Sequence, residues 1–194
     1  TKTTFFNKTL ADIAVIEVDE LSLDVILPYI KANYLIVSNL SRDTLLRNGH
    51  TEYVFNQMEK GIPPYTKLVL NAEDLISSRL MCNADNEKIF YSIKRQDFET
   101  DESNTRLQDI KICPNCHEKL VYDFVRYHHI GFAHCPKCDF KNSEPNYQIS
   151  KINTDENTFT LDGKEYSCVK GSGIFNVYNV LSIVAVLRDM GISE

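Results

Sequence analysis

The chain of 194 residues lacks several things whose absence narrows its class. It has no apolar run long enough to cross a bilayer, and its first residues, TKTTFFNKTL, do not form a signal peptide. It has no excess of basic charge: 21 Lys and Arg stand against 27 Asp and Glu, a formal net charge of −6. That balance argues against generic nucleic-acid binding, though not against a small polyanion in a local pocket. It has only 7 glycines, with no repeats, no low-complexity segment and no glycine-rich phosphate loop. Its 6 cysteines do not make a secreted disulfide framework, because four fall in two tight pairs and Cys82 and Cys168 stand alone. Paired knuckles with two leftover thiols fit a reducing cytosol. With 43% hydrophobic and 25% charged residues, the chain is an ordinary globular protein, long enough for one buried domain and a small appendage.

The two cysteine pairs are the strongest local signal. Cys113-Pro114-Asn115-Cys116 and Cys135-Pro136-Lys137-Cys138 each offer two thiolates to one ion. Together they predict a tetrahedral four-cysteine zinc site. Four cysteines leave no open position for a reactive water, so a catalytic zinc is not expected. Residues 113–141 hold four basic side chains (Lys119, Arg126, Lys137, Lys141) and three acidic ones (Glu118, Asp123, Asp139). Four thiolates on Zn²⁺ add −2, turning +1 into −1, which does not suit phosphate binding. A structural staple is the expected role, since so short a module needs metal to fold.

Three continuous apolar runs mark the first half: Ile13–Ile16, Tyr34–Val37 and Lys67–Leu70. Continuity rather than alternation predicts strands buried on both faces. Helix-compatible stretches over Leu21–Lys31 and Thr51–Lys60 intervene, so the pattern is that of a parallel α/β sheet. Each run ends in polar residues: Glu17 with Asp19 and Glu20, Ser38-Asn39, then Asn71 with Glu73-Asp74. The carboxyl ends of parallel strands are where such sheets bind ligands, but turn residues and helix caps look the same. A further strand is predicted over Lys88–Lys94, a polar linker over Asp101–Asn104, and short β runs at Tyr147–Ile152, Thr158–Leu161 and Lys164–Val169. A closing apolar helix spans about Asn176–Met190 and is expected to lie against a sheet.

Several segments carry a resemblance. Lys2-Thr3-Thr4 is similar to the tail of a phosphate-binding loop. Ala14–Glu20, Ser38–Asp43, Leu68–Asp74 and Gly173–Asn179 resemble, in order, motifs of the Mur ligase central domain. The inserted four-cysteine ribbon, with Leu120-Val121-Tyr122 and Tyr127–Gly131, resembles the MurT-type subunit of lipid II isoglutaminyl synthase. The resemblance implies a P-loop-type parallel sheet flanked by helices, with a small antiparallel β subdomain and the zinc ribbon. The implied division is an ATP-binding α/β part over 1–110, the ribbon over 111–145, and a β subdomain with the final helix over 146–194.

The implied function is an ATP-dependent carbon–nitrogen ligase subunit of peptidoglycan biosynthesis. It would amidate the α-carboxylate of D-glutamate in the lipid II stem peptide through an acyl phosphate. Ammonia would come from a glutaminase subunit, as a heterodimer. Lys2 would contact the ATP phosphates and Thr3 would bind Mg²⁺. Thr4 would lie beside them, and Glu17 would be the acidic magnesium ligand with Glu20 as helper. Asn176 and Asn179 would approach the nucleotide, unless Asn176 is simply the cap of the final helix. Asn39, Arg42, Asp43, Asn71 and Asp74 would line the crevice. The expected location is the cytoplasm, at the inner face of the membrane, with no nucleic-acid partner.

Departures from the pattern are expected to matter. The glycines of the phosphate loop are missing, and only Phe5–Asp12 separates Lys-Thr-Thr from Ile13, so the chain is expected to be joined across a missing stretch. The family's second Asp is replaced by Leu46. Little activity is expected of this chain alone. The competing class is a zinc-ribbon binding module on a degenerate, non-catalytic nucleotide-binding fold.

Overall fold

The computed structural model describes residues 11–41, 50–102, 109–153, 155–167 and 173–192. Its centre is a four-stranded, all-parallel sheet in the order β1 (Tyr34–Val37), β2 (Lys67–Asn71), β3 (Lys88–Ile93), β6 (Tyr147–Ile149). The apolar runs at 34–37, 67–70 and 88–93 therefore pair as the sequence predicts, with Ile36 opposite Val69 and Val69 opposite Ile89.

Because side chains alternate across a strand, one sheet serves two cores. Leu68 and Leu70 of β2 face one side, with Leu23 and Leu27 and with Val54, Phe55 and Met58 of α2 (Thr51–Gly61). Val69, Ile89, Tyr91 and Ile93 face the other side, with Val177, Tyr178, Leu181, Val184 and Ala185 of α3 (Gly173–Asp189). Helix, sheet and helix make three layers.

Local chemistry sets the helix limits. His50 caps α2 by accepting a bond from the Glu52 N–H, with Glu52 in the first turn and Lys60 in the last suiting the helix dipole. Helix α2 closes at Gly61, against the backbone of α1 (Leu23–Ile26): a Cβ there would stand 2.5 Å from the Asp24 nitrogen. The helix predicted over Leu21–Lys31 is shorter than its pattern, a Glu20–Ser22 turn leading into α1. Pro28 lacks the N–H that would continue the ladder to Asp24.

The predicted strand at Ile13–Ile16 is not part of the sheet. Those residues are exposed, Val15 almost fully, and pair with no described strand. An apolar run fixes which side chains avoid water but not which edge they join.

The cysteine module projects from the face shared with α1 and α2. Its hairpin joins β4 (Val121–Tyr127) and β5 (Ile130–His134). The run predicted over Tyr147–Ile152 is split. β6 stays in the parallel sheet. At Ser150, whose N–H and hydroxyl both bond Thr160 O, the chain crosses into an antiparallel sheet. That sheet comprises β7 (Lys151–Asn153), β8 (Thr158–Leu161) and β9 (Lys164–Ser167). Phe159 and Leu161 extend the core under α3.

Helix α3 runs antiparallel to the strands. Its last residue, Asp189, accepts bonds from Tyr34 Oη and Lys67 Nζ at the strands' amino ends, while Tyr178 reaches Glu73 beyond their carboxyl ends. No helix among the described residues is long and apolar enough to cross a membrane.

Candidate functional site

Two constructions meet at the carboxyl edge of the sheet: the cysteine ribbon and a buried ionic network. In the ribbon the sulfurs of Cys113, Cys116, Cys135 and Cys138 all lie within 4.8 Å of one another. Cys113 Sγ is 3.5 Å from Cys138 Sγ, and Cys116 Sγ is 3.4 Å from Cys135 Sγ. A zinc tetrahedron with bonds of about 2.3 Å has edges of about 3.8 Å, so the four thiols fit that ion.

Backbone bonds shape each knuckle around the position of the ion. Cys113 N–H donates to Glu118 O and His117 N–H to Cys113 O, with His117 at φ 60° closing the turn. Cys135 N–H donates to Phe140 O, and Lys137 N–H donates to the Cys135 sulfur. Leu120, Tyr122 and Phe140 pack over the sulfurs as part of the core shared with α2. The Arg126 side chain is buried, which removes one of the module's four basic groups from its surface and weakens a phosphate-binding reading further.

The second construction begins at the end of β2. Asn71, Glu73 and Asp74 were expected to line an open crevice, but all three are fully buried. Asn71 Oδ1 accepts from Glu73 N–H, and Asp74 Oδ1 accepts from Ile76 N–H, so both act as turn-forming groups. Their remaining bonds hold neighbours. Asp74 Oδ2 accepts from Leu40 N–H at 2.7 Å, and Asp74 Oδ1 is 3.0 Å from His129 Nε2. The far nitrogen of His129 faces Asp109 at 3.6 Å. Glu73 Oε1 accepts from Ile93 N–H at 2.6 Å, and its Oε2 accepts from Arg126 Nε at 3.0 Å and Tyr178 Oη at 2.8 Å. Arg126 also pairs with Glu99 and donates to Ile93 O.

Electrostatics follow from this burial. Burial pushes the Glu73 carboxyl up, while the Arg126 guanidinium, the Ile93 amide and the Tyr178 hydroxyl pull it back. Asp74 is also penalised by burial, yet the His129 bond and charge hold it below the ordinary carboxylate range. His129 is the converse: burial opposes its charge, and the bond to Asp74 raises it nonetheless. The Asp74–His129 contact is thus a buried pair in which each partner favours the charged form of the other.

The predicted nucleotide residues divide. Lys2, Thr3, Thr4, Arg42, Asp43 and Leu46 lie outside the described residues. Glu17 is exposed on the unpaired extended segment, not at a strand end, and Glu20 begins the turn before α1. Asn176 lies inside α3, which begins at Gly173, so it is not the helix cap. Asn176 and Asn179 occupy the turns of α3 nearest the carboxyl edge, Asn179 exposed. Asn39 sits after β1, where its Oδ1 accepts from the Ser41 hydroxyl. A cleft of about 450 Å³ lies elsewhere, between the start of α2 and the first knuckle, bordered by His50, Arg79, Lys111 and His117.

Sequence reading missed Arg126, His129, Glu99 and Tyr178 as members of one network. The available signal was a charged residue within the apolar strand Phe124-Val125-Arg126-Tyr127, which composition alone counts as surface charge.

The chain is similar in structure to a pseudomurein peptide ligase type C from Methanothermus fervidus. The TM-score is 0.63 with 26% identity, over 83% of this chain and 32% of that one. The fold is that of a Mur-ligase-like peptide ligase domain. Over nearly its whole length the chain is similar in sequence to curated MurT subunits. It is 34% identical over 187 residues to the "Lipid II isoglutaminyl synthase (glutamine-hydrolyzing) subunit MurT" of Staphylococcus aureus strains COL and N315. It is 28% identical over 190 residues to the subunit of the same name from Streptococcus pneumoniae strain R6. These alignments cover 94% and 95% of this chain but 41% and 42% of the relatives, so the chain spans about two fifths of their length. No family model matches the chain.

Proposed function

We propose that this chain is the central, ATP-binding part of a lipid II isoglutaminyl synthase subunit. The observation that carries the reading is 34% identity to a MurT subunit across 94% of the chain. The parallel sheet, with α3 directed toward its carboxyl edge, supports it as the kind of frame on which ligands bind at strand ends.

The chemistry proceeds in two displacements. A carboxylate resists amine attack because its oxygen is a poor leaving group. An oxygen of the D-glutamate α-carboxylate attacks the γ-phosphorus of ATP, forming an acyl phosphate and releasing ADP. Ammonia then attacks the acyl carbon, inorganic phosphate leaves with the bonding pair, and the nitrogen gives up one proton to the departing phosphate, giving the amide. The ammonia comes from a glutaminase partner. Lys2 neutralises the phosphates, Asn176 and Asn179 approach the nucleotide, and Thr4 borders the phosphates. Thr3 and Glu17 are the groups that would hold Mg²⁺, which supplies charge neutralisation at the transferring phosphoryl group. Zinc on the four cysteines is structural, because its coordination is closed. The place of work is the cytoplasmic face of the membrane, where lipid II presents its stem peptide.

The deciding experiment is ATP–Mg²⁺ binding and lipid II amidation by the full-length protein with a glutaminase subunit. Binding and amide formation are expected, with both lost in Lys2→Ala and Glu17→Ala. Failure of the intact protein to bind ATP–Mg²⁺ would favour a non-catalytic binding module.

A further inference from the structure

We infer that the ribbon is a clamp on the loops at the sheet's carboxyl edge, with His129, Arg126 and Asn142 as positioning residues for the ligand crevice. This rests on the reading that the crevice binds the reactants. It goes beyond a staple, because it assigns the ribbon an effect outside its own fold.

The geometry is specific to three consecutive residues, Ala72, Glu73 and Asp74, which follow β2. Four ribbon residues bind them. Asn142 Nδ2 donates to Ala72 O at 2.6 Å, and Gly131 N–H donates to Glu73 O at 3.0 Å. Arg126 holds the Glu73 carboxylate, and His129 holds that of Asp74. Asn142 also binds within the ribbon, accepting from Ala133 N–H and donating to Gly131 O, so its position depends on the hairpin.

From Asp74 the tie extends to the neighbouring loop. The same carboxylate that His129 holds accepts the Leu40 N–H, and Leu40 lies in the segment leaving β1. One side chain thereby connects the ribbon, the exit of β2 and the exit of β1. On the other flank, Glu73 accepts the Ile93 N–H at the end of β3. The exits of three parallel strands are fixed through two carboxylates, and both carboxylates are neutralised by the ribbon. Without that charge, Glu73 and Asp74 would be buried anions with only neutral donors, the backbone amides and the Tyr178 hydroxyl, and hydration would favour opening the loops.

The test is hydrogen exchange on the full-length zinc-bound protein, comparing wild type with His129→Leu and His129→Gln, and wild type before and after zinc chelation. The Leu40 and Ile76 amides should exchange about 10-fold to 100-fold faster in His129→Leu and after chelation, the range for losing a buried bond to a charged group. Amides of α3 and β8 should change little. His129→Gln keeps an N–H donor near Asp74 and should recover most of the protection.

Unchanged exchange at Leu40 and Ile76 with the ribbon unfolded would overturn the clamp. So would simultaneous loss of protection throughout α3, because the ribbon would then support the whole fold instead of two loops. ATP–Mg²⁺ titration of the same proteins is a separate arm. Weaker binding in His129→Leu, restored in His129→Gln, is expected, and equal binding in all three would sink the link to the crevice. Wild-type protein that exchanges as expected but binds no nucleotide would instead refute the ligase reading and leave the loop clamp standing.

Discussion

Replacing Arg126 by Leu should test the buried network most directly. The Arg126, Glu73 and Glu99 side chains are 2%, 0% and 2% exposed. Leucine leaves Glu73 buried without a countercharge, takes from Glu99 its paired guanidinium, and also removes the donor to Ile93 O. Breaking a buried ion pair from one side costs about 3–5 kcal/mol, a large share of an ordinary domain's stability of about 5–15 kcal/mol. The guanidinium also sits over the Phe124 and Tyr178 rings, so part of any loss could come from packing. The pH dependence separates the two contributions. Glu73 is already pushed up by burial, and losing Arg126 pushes it further. A carboxyl raised in the folded state is destabilising above its folded pKa, and that cost fades as pH falls toward its unfolded pKa of about 4.3. Lost ring contacts have no such dependence.

The assay is urea unfolding of the full-length protein followed by far-ultraviolet circular dichroism. The deficit of Arg126→Leu should be about 3–5 kcal/mol at pH 7.5 and clearly smaller near pH 5. Combining it with Glu73→Gln should recover part of the loss. A deficit below about 1 kcal/mol at pH 7.5, flat with pH, would refute the reasoning, because that is the behaviour of an exposed pair.

Two further outcomes follow from the same geometry. Metal analysis should find one zinc per ribbon, and Cys113→Ser or Cys135→Ser should lose both the metal and the amide protection of the β4–β5 hairpin; a folded, metal-free ribbon would contradict the staple. For Asp74 and His129 the two signs combine into a window. Asp74, held below its ordinary 3.8, contributes stability above about pH 4 that is lost as pH falls through its folded pKa; His129, held above its ordinary 6.5, contributes below about pH 6.5 and loses it as pH rises through its folded pKa. The stability gap between wild type and His129→Gln should therefore be widest between about pH 4 and 6.5 and narrow on the alkaline side; a gap constant from pH 4 to 9 would show that the pair is not ionic.

The parts of this fold legible in the sequence share a local cause. The runs at Lys67 and Lys88 are continuous because both sheet faces are covered there, whereas Ile36 in the edge strand at Tyr34 stays exposed, and the two Cys-x-x-Cys pairs are close in sequence because each knuckle offers two thiols to one ion. What could not be read depends on distance along the chain. Asp74 and His129 are 55 residues apart, and Glu73 and Tyr178 are 105 apart. Ile13–Ile16 failed for the same reason: its apolarity is local, while the edge it would join is not.

The same distinction explains why Glu73 and Asp74 invite a wrong first reading. An acidic pair after a parallel strand has the composition of a ligand site, and an open crevice would leave both carboxylates hydrated. Burial reverses the inference. A carboxylate at 0% exposure must find its donors inside the protein, and here these are a guanidinium, an imidazole, a phenol and three backbone amides. Four of the six come from sheet exits, loops or α3, and the two cationic ones come from the ribbon. The acidic pair thus marks where the ribbon's charge is needed, and a chain that lost the ribbon could not keep those two residues acidic without reopening the loops that they hold.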